Sequence, residues 1–396
     1  FHMGFMYSGG GERTAIYESL LLKEKGYDVT CFAPATRFDV CYPDLLRKID
    51  VKTFLPRVRM PLPLRDFLSM AASSALPLSF AHKFLDFDCI ICHGQPAIWI
   101  GYSVSRLASK KYLCYLHQPA RFLYPRLIDL EVGWKTKRDF ALLNGFVNLG
   151  RPLVSAFDHV SVTASECVLV NSRWIERWVK EIYGVKPKLC PPGVDVHRFM
   201  PVAKKSSVRV GDRIVNRPFI LSTNRHFPQK GMDYLIMMMP TILAEVDTTL
   251  VITGDFTSYT STLVRLASSL KVRDKIVFTN RIDEEELVNL YQNADVYAYT
   301  SPCEDFGLGP IEAMACGTPP VVWDYAGPSE NVKNGLNGFK AKPYDLHDFS
   351  SKVILLLKDA TLNREMGLEG VKFANENYSW ERHIRSLQEL LTSLAF

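Results

Sequence analysis

Residues 301–332 read SPCEDFGLGPIEAMACGTPPVVWDYAGPSENV. The apolar run VYAYTS (296–301) reads as a buried strand, a glycine-bearing loop follows, and a helix is expected to open with Pro310 at its first position and close before Gly317. In that order the three pieces aim the backbone N–H groups of Phe306, Gly307 and Leu308, and the positive helix end, at one spot beyond the strand. A phosphate-bearing anion suits such a spot. Glu304 precedes the loop and Glu312 stands eight positions on, in the expected first turn; on a continuous helix the two would be about 12 Å apart. With the anion between them they could take hydroxyl groups on both sides of a diphosphate, the shape of a nucleotide-sugar. Singly, Glu312 would pass for a capping carboxylate and Glu304 for a solvated loop residue; together with the glycines they are harder to dismiss.

Outward from this stretch, apolar runs recur with helix-like segments between them. YDVTCFAP (27–34), DCIICHG (88–94), KYLCYLH (111–117) and VLVNS (168–172) form one series. FILSTN (219–224), TLVITGD (249–255), KIVFTN (275–280), VYAYTS and PPVVWDY (319–325) form another. Runs without strict alternation belong to strands buried on both faces, as in parallel sheets covered by helices. Two series predict two doubly wound α/β domains, joined near CPPGVDVHRF (190–199) and the polar stretch AKKSSVRVGDR after it. Ligands in such sheets bind beyond the carboxyl ends of the strands, so a cleft between the domains is expected and the residues following each strand matter most. No fixed-period repeat or low-complexity tract is present.

The chain has 396 residues, with 47 Lys+Arg against 42 Asp+Glu, a net charge of +5, and 47% hydrophobic residues. That composition excludes a disordered or collagen-like protein, and the small positive balance is weak evidence for a nucleic-acid partner, so none is expected. It suits a protein that handles phosphorylated ligands or rests on an anionic membrane. No apolar run reaches the length of a spanning helix. LPRVRMPLPLRDFLSM (55–70) mixes Arg57, Arg59 and Arg65 with apolar residues in a blend suited to lipid headgroups or, equally, to a proline-rich surface loop. The first residues from Phe1 read as the tail of a strand, which predicts a short preceding piece.

The 9 cysteines follow no framework of spacings and read as reduced, cytoplasmic thiols. Cys89-Ile90-Ile91-Cys92-His93 matches the spacing of covalent haem attachment, but it falls on an expected strand, where positions three apart face opposite sides. Asp86-Phe87-Asp88 matches the metal-holding Asp-x-Asp of some sugar transferases, yet it leads straight into that strand and reads as a turn. No metal and no cofactor is expected.

Arg225 and Lys230, in NRHFPQKGMDYL after the strand FILSTN, could stabilise charge building on a departing nucleoside diphosphate. His117 ends the strand KYLCYL at the equivalent edge of the other domain. Gly10 and Gly11, in GGGE (9–12), let backbone approach a phosphate closely. Glu304-x7-Glu312 in EDFGLGPIEAMACGTPPVV, the GGGE run, Arg225 with Lys230, and PPGVD (191–195) together resemble retaining glycosyltransferases of family 4, which have the GT-B fold of two Rossmann-like domains. YLHQPARFLYP (115–125) and NSRWIERWVKEIYG (171–184) most resemble the branch of mannosyltransferases acting on lipid-linked glycans.

The resemblance implies that Glu304 contacts the donor sugar, Glu312 the nucleotide ribose, and His117 the region of the reacting centre. It implies backbone contacts to the base around Arg281 and Ile282, a nucleotide-diphosphate sugar as substrate, GDP-mannose by preference, and a polyprenyl- or lipid-linked glycan as acceptor. A peripheral place on the cytosolic face of a membrane follows from that acceptor. It further implies an acceptor-side domain of residues 1–195 completed by a C-terminal helix within 376–396, and a nucleotide-sugar domain of residues 196–375. Ala326 departs from the family pattern, which has the first glycine of a GG-x-x-E element there. Three alternatives stand beside this reading: a UDP-hexose-dependent glucosyl- or N-acetylhexosaminyl-transferase of the same fold, a non-catalytic nucleotide-sugar binder, and a nicotinamide dehydrogenase. The last is disfavoured because Gly9-Gly10-Gly11 lacks the third glycine of G-x-G-x-x-G.

Overall fold

The computed structural model describes residues 1–53, 81–121, 123–126 and 141–394, with backbone alone over 141–149. Arg57, Arg59 and Arg65 lie outside the described residues. The chain divides into two compact units: residues 1–192 with the helix Trp380–Ser393, and residues 193–379. The breaks fall after Pro192 and Ser379 rather than after 195 and 375. Val194 explains both, since its N–H reaches the carbonyl of Tyr378 at 2.6 Å and it bridges to Ser379, so the two crossing strands of chain are tied together inside the second unit.

In the first unit the strands are β1 (Cys31–Ala33), β2 (Val51–Thr53), β3 (Cys89–His93), β4 (Lys111–Leu116), β5 (Cys167–Val170) and β6 (Lys188–Leu189). β3, β4, β5 and β6 pair in parallel, as do β1 and β2. The opening segment joins the two sets: His2 N–H donates to the Phe32 carbonyl, Phe5 N–H to Ala35, and His93 N–H to Phe1. The layer therefore runs β2, β1, residues 1–5, β3, β4, β5, β6. Counted along the chain that is third, second, first, then fourth onward, the order of a doubly wound nucleotide-binding sheet, whose switch point falls between the first and fourth members.

β4 shows why the sheet is buried on both faces. Tyr112, Leu113, Cys114, Tyr115 and Leu116 are all buried, with Leu113 and Tyr115 packing on one side and Tyr112, Cys114 and Leu116 on the other. Cys92 and Cys89 divide the same way, Cys92 into the second of these clusters and Cys89 against the first, so the two thiols face apart. The helix Trp380–Ser393 covers the first face with Ile384, Leu387, Leu390 and Leu391, and its Trp380 stacks on Tyr17 at 4.5 Å. Asp86 and Asp88 are exposed at the opposite, amino-terminal end of β3.

The second unit adds β7 (Ser207–Val210), β8 (Arg213–Asn216), β9 (Phe219–Thr223), β10 (Thr249–Thr253), β11 (Ile276–Thr279), β12 (Val296–Tyr299), β13 (Pro320–Trp323) and β14 (Phe339–Ala341). Its parallel sheet runs β11-β10-β9-β12-β13-β14, again with the switch between first and fourth strands, here β9 and β12. The stretch read as a polar linker is an antiparallel hairpin of β7 and β8 that buries Val208, Val210 and Val215. Among the described residues no helix is long and apolar enough to cross a membrane.

Candidate functional site

The second unit's site lies at the carboxyl ends of β9 and β12. After β9 the chain passes Asn224 and Arg225 into a short 3-10 turn, Pro228–Lys230, closed by Gly231 at φ +64. A Cβ on Gly231 would sit 2.3 Å from the Thr300 carbonyl oxygen, so only glycine lets this turn press against the end of β12. Two hydroxyls staple it there: Thr300 Oγ1 donates to the Gly231 carbonyl at 2.7 Å and Ser301 Oγ to that of Gln229 at 3.2 Å.

The turn delivers Lys230 to Glu304. Its ammonium forms an ion pair with Oε2, both side chains about one-fifth exposed (20% and 20%). The Tyr299 hydroxyl donates to the same oxygen at 3.2 Å, and Ser301 Oγ lies 3.2 Å from it, its one hydrogen shared with the Gln229 carbonyl. Burial first, and then the Glu304 charge, raise the Tyr299 phenol well above its ordinary value, so it stays a donor. Arg225 leaves the same strand end, its guanidinium 5.5 Å from the centre of the Phe227 ring. Gly254 guards this backbone, since a Cβ there would lie 1.9 Å from the Asn224 oxygen.

The helix beyond Glu304 spans Leu308–Ala315. It therefore starts two residues earlier than the sequence suggested: Gly307, at φ +82, is the cap, Pro310 is third, and Glu312 is fifth, in the second turn. The physical reason is that a proline lacks only an N–H, and the first-turn amides have no helical acceptor anyway, so the third place serves as well as the first. Glu304 is in the preceding loop, so the spacing drawn from a continuous helix does not apply. Phe306, Gly307 and Leu308 do form the turn into this helix. The turn is braced by close approaches: a Cβ on Gly327 would meet the Asp305 oxygen at 2.3 Å, one on Gly309 the Tyr297 hydroxyl at 2.2 Å, and the Gly327 N–H donates to the Glu304 carbonyl.

Glu312 is buried, 6% exposed, and accepts from the Tyr291 hydroxyl at 2.9 Å; that phenol and Tyr297 both meet Thr223 Oγ1 at 2.8 Å. Glu312 thus sits under the end of β9, on the switch point but behind a tyrosine pair. Ile282 lies past the end of β11, partly buried against the core, away from the Lys230–Glu304 pair in strand order.

In the first unit Gly10 and Gly11 are the first two residues of the helix Gly10–Glu24, capped by Gly9, so the glycine run is a helix start. His117 follows β4, and a Cβ on Gly11 would stand 3.5 Å from its ring. The His117 carbonyl accepts from Asn171 Nδ2 at 3.1 Å. Its Nε2 lies 3.2 Å from His93 Nδ1, and burial first, followed by the neighbouring His93 ring, lowers its pKa to about 3. Sequence reasoning passed over His93, which was noticed only as the end of the discarded haem string. It also passed over Tyr299 and Ser301, whose positions at the end of an apolar strand were the available signal. Among the described residues no group of His, Cys, Asp and Glu is arranged to hold a metal ion.

Two family profiles match this chain: Glycosyltransferase Family 4 over residues 8–198 and Glycosyl transferases group 1 over residues 205–373. A GDP-mannose-dependent alpha-(1-6)-phosphatidylinositol monomannoside mannosyltransferase of Mycolicibacterium smegmatis is 36% identical over 51% of this chain and 55% of its own. The match spans about half the length of that relative. A D-inositol 3-phosphate glycosyltransferase of Acidothermus cellulolyticus is 27% identical over 92% of this chain and 81% of its own. The Anabaena protein HepE in complex with UDP superposes with a TM-score of 0.74 at 18% identity, covering 99% of each chain, which fixes the fold as GT-B. With both halves of the chain matched and the Lys230–Glu304 pair standing at the switch point of the second sheet, the chain belongs to glycosyltransferase family 4.

Proposed function

We propose that this chain transfers a hexose, mannose from GDP-mannose by preference, to a lipid-linked glycan or another hydroxyl acceptor, with retention at the anomeric carbon. The observation that carries the reading is the Lys230–Glu304 pair at the crevice between β9 and β12, beside Arg225 and the Gly307-capped helix. A diphosphate entering there meets two cations and a positive helix end. Its oxygens compete with Glu304 for Lys230, and the displaced carboxylate turns to the hydroxyls of the donor sugar. Glu312 takes the ribose hydroxyls once a sugar replaces the Tyr291 hydroxyl on its oxygen. The cations and helix end stabilise the charge that grows on the leaving diphosphate, the part a divalent metal plays in other sugar transferases. The leaving phosphate oxygen accepts the proton of the incoming hydroxyl on the same face, so no protein nucleophile is required. His117 of the first unit acts near the sugar.

The mannose and lipid parts are supported by the mycobacterial relatives, which are GDP-mannose-dependent phosphatidylinositol monomannoside mannosyltransferases. A peripheral membrane setting follows from such an acceptor. The test is a binding panel in a metal chelator: GDP, UDP, ADP and their hexose conjugates titrated calorimetrically, followed by transfer to a lipid-linked mannoside with the anomeric product read by NMR. Tightest binding of GDP-mannose and an α-linked product are expected. Preference for UDP-glucose or UDP-N-acetylglucosamine would move the donor assignment, and binding without transfer to any acceptor would make the chain a nucleotide-sugar binder.

A further inference from the structure

The first unit has a group of buried titratable side chains at its own switch point, between residues 1–5 and β3. Glu18 comes from the first helix, His93 from the end of β3, His117 from beyond β4, and His383 from the helix Trp380–Ser393. Glu18 is 3%, His93 5% and His383 3% exposed. Glu18 Oε2 is 3.0 Å from His93 Nε2, and Oε1 is 2.8 Å from His383 Nε2. His93 Nδ1 is 3.2 Å from His117 Nε2, and His383 Nδ1 is 2.7 Å from the Pro191 carbonyl. Tyr115 stacks on His93 and packs at a tilt against His117, its ring centre 5.2 Å and 4.5 Å from theirs.

Proton positions follow from the acceptors. A backbone carbonyl and a carboxylate can only accept, so both nitrogens of His383 carry hydrogen and the ring is an imidazolium. That cation, with the His93 hydrogen bond, keeps Glu18 ionised despite its burial. An ionised Glu18 takes the Nε2 hydrogen of His93. Its single charge is already matched by the His383 imidazolium, and a second cation in this buried group would stand uncompensated, so His93 is neutral and its Nδ1 is an acceptor. His117 must then donate from Nε2, and its Nδ1 is left with a lone pair. With one carboxylate matched by one imidazolium, each neutral ring fixes the tautomer of the next.

We infer that Glu18, His93 and His383 are positioning residues that lock His117 in one tautomer, with Nδ1 as a fixed hydrogen-bond acceptor for a sugar hydroxyl. The inference rests on the transferase reading for what His117 holds, and on geometry alone for the tautomer. The shifts agree in direction. Burial pulls the His383 pKa down, yet Cys190 and Glu18 outweigh it and hold the ring well above its ordinary value. Burial would raise Glu18, yet His93 and His383 hold it well below the carboxylate range.

The decisive measurement is long-range ¹H–¹⁵N correlation of histidine-labelled full chain at pH 7, with His117, His93 and His383 assigned by single substitutions. His117 should show a protonated Nε2 and an unprotonated Nδ1, and His383 two protonated nitrogens. His117 carrying its hydrogen on Nδ1, or as an imidazolium, overturns the inference. In Glu18→Gln the His117 signals should shift to mixed tautomers, with kcat down on the order of 10- to 100-fold, as for outer partners of other oriented histidines, and KM for the donor little changed. An unmoved His117 spectrum in that variant overturns the inference too. The wild-type spectrum needs no variant, so a Glu18→Gln chain that does not fold leaves the test standing. If no nucleotide-sugar is bound or transferred, the transferase reading fails while the spectrum still decides the tautomer.

Discussion

The two units place their strand-order switch alike, between the first and fourth members of a parallel layer, and fill it with opposite chemistry. In the second unit the crevice has a partly exposed ion pair, Lys230 with Glu304, held by loops and ready to exchange partners with a ligand. In the first unit it has a sealed chain of histidines around Glu18 that exchanges nothing and leaves only His117 half-buried at its end. A charged group kept near water can bind an anion at modest cost. One kept from water must be satisfied by protein, and its energy goes into holding a shape.

That difference is broken most directly by removing one charge from each unit. Lys230→Ala should lower kcat by about 10²- to 10³-fold, because a preorganised cation facing developing charge is lost. Steady-state kinetics check it, and the Tm should stay within a few degrees. Glu18→Gln should add to its smaller loss of rate a loss of about 3 kcal/mol of stability, by leaving the His383 imidazolium buried without its partner. Urea unfolding measures that cost. If Lys230→Ala unfolds the protein while Glu18→Gln leaves its stability untouched, the division of labour drawn between the two crevices is wrong.

Acid sharpens the same comparison. His117 and His226 are held near 3 and 4, in each case by burial first, and His2 well below its ordinary value for the same reason. These rings are neutral when folded and take up protons when unfolded, so stability is lost as pH falls below about 6.5, by at most about 1.4 kcal/mol per pH unit for each ring. His383 works in the other sense: its raised value gives stability that is fully present below about 6.5 and lost as pH rises through the folded value. Glu18, held low, contributes above about 4.5, and that contribution is lost as pH falls through its folded value. Between pH 7 and 5 the neutral rings dominate, so Tm should fall. Calorimetry at the two pH values checks it, and an unchanged or higher Tm at pH 5 would contradict the burial of these rings.

Much of the second unit could be read from the sequence, because its strands are apolar runs and its ligand-facing residues follow them directly. Arg225, Lys230, Glu304 and the Gly307 turn all stand two to eight residues past a strand end. What the sequence hid was long-range or short. β14 and the β7–β8 hairpin are brief or half-polar, and residues 1–5 join the first sheet by backbone bridges without any apolar run to announce them. The Glu18–His93–His383 chain was invisible for a different reason: its members lie 75 and 290 positions apart along the chain and meet only through the crossing of the C-terminal helix. A lone buried histidine carries no sign of its partner.

The smallest expected effect separates the two crevices at the level of backbone. In the first unit Gly11 lies within a helix, and a Cβ there would make only ordinary contact with the His117 ring at 3.5 Å. In the second unit Ala326 stands at φ +59, where its Cβ crowds the backbone, beside Gly327, where no Cβ fits at all. Gly11→Ala should therefore raise stability slightly, by about 0.5 kcal/mol, through a less flexible unfolded chain. Ala326→Gly sets two effects against each other. Relief of the left-handed strain is worth about 1 to 2 kcal/mol, whereas the added freedom of glycine when unfolded takes back about 0.5 to 1. The strain term is larger, so Ala326→Gly should stabilise by roughly 0.5 kcal/mol, read as a higher urea midpoint at an unchanged slope. A lower midpoint would mean that Ala326 is not strained, and that the second crevice owes its shape to side-chain contacts as the first does.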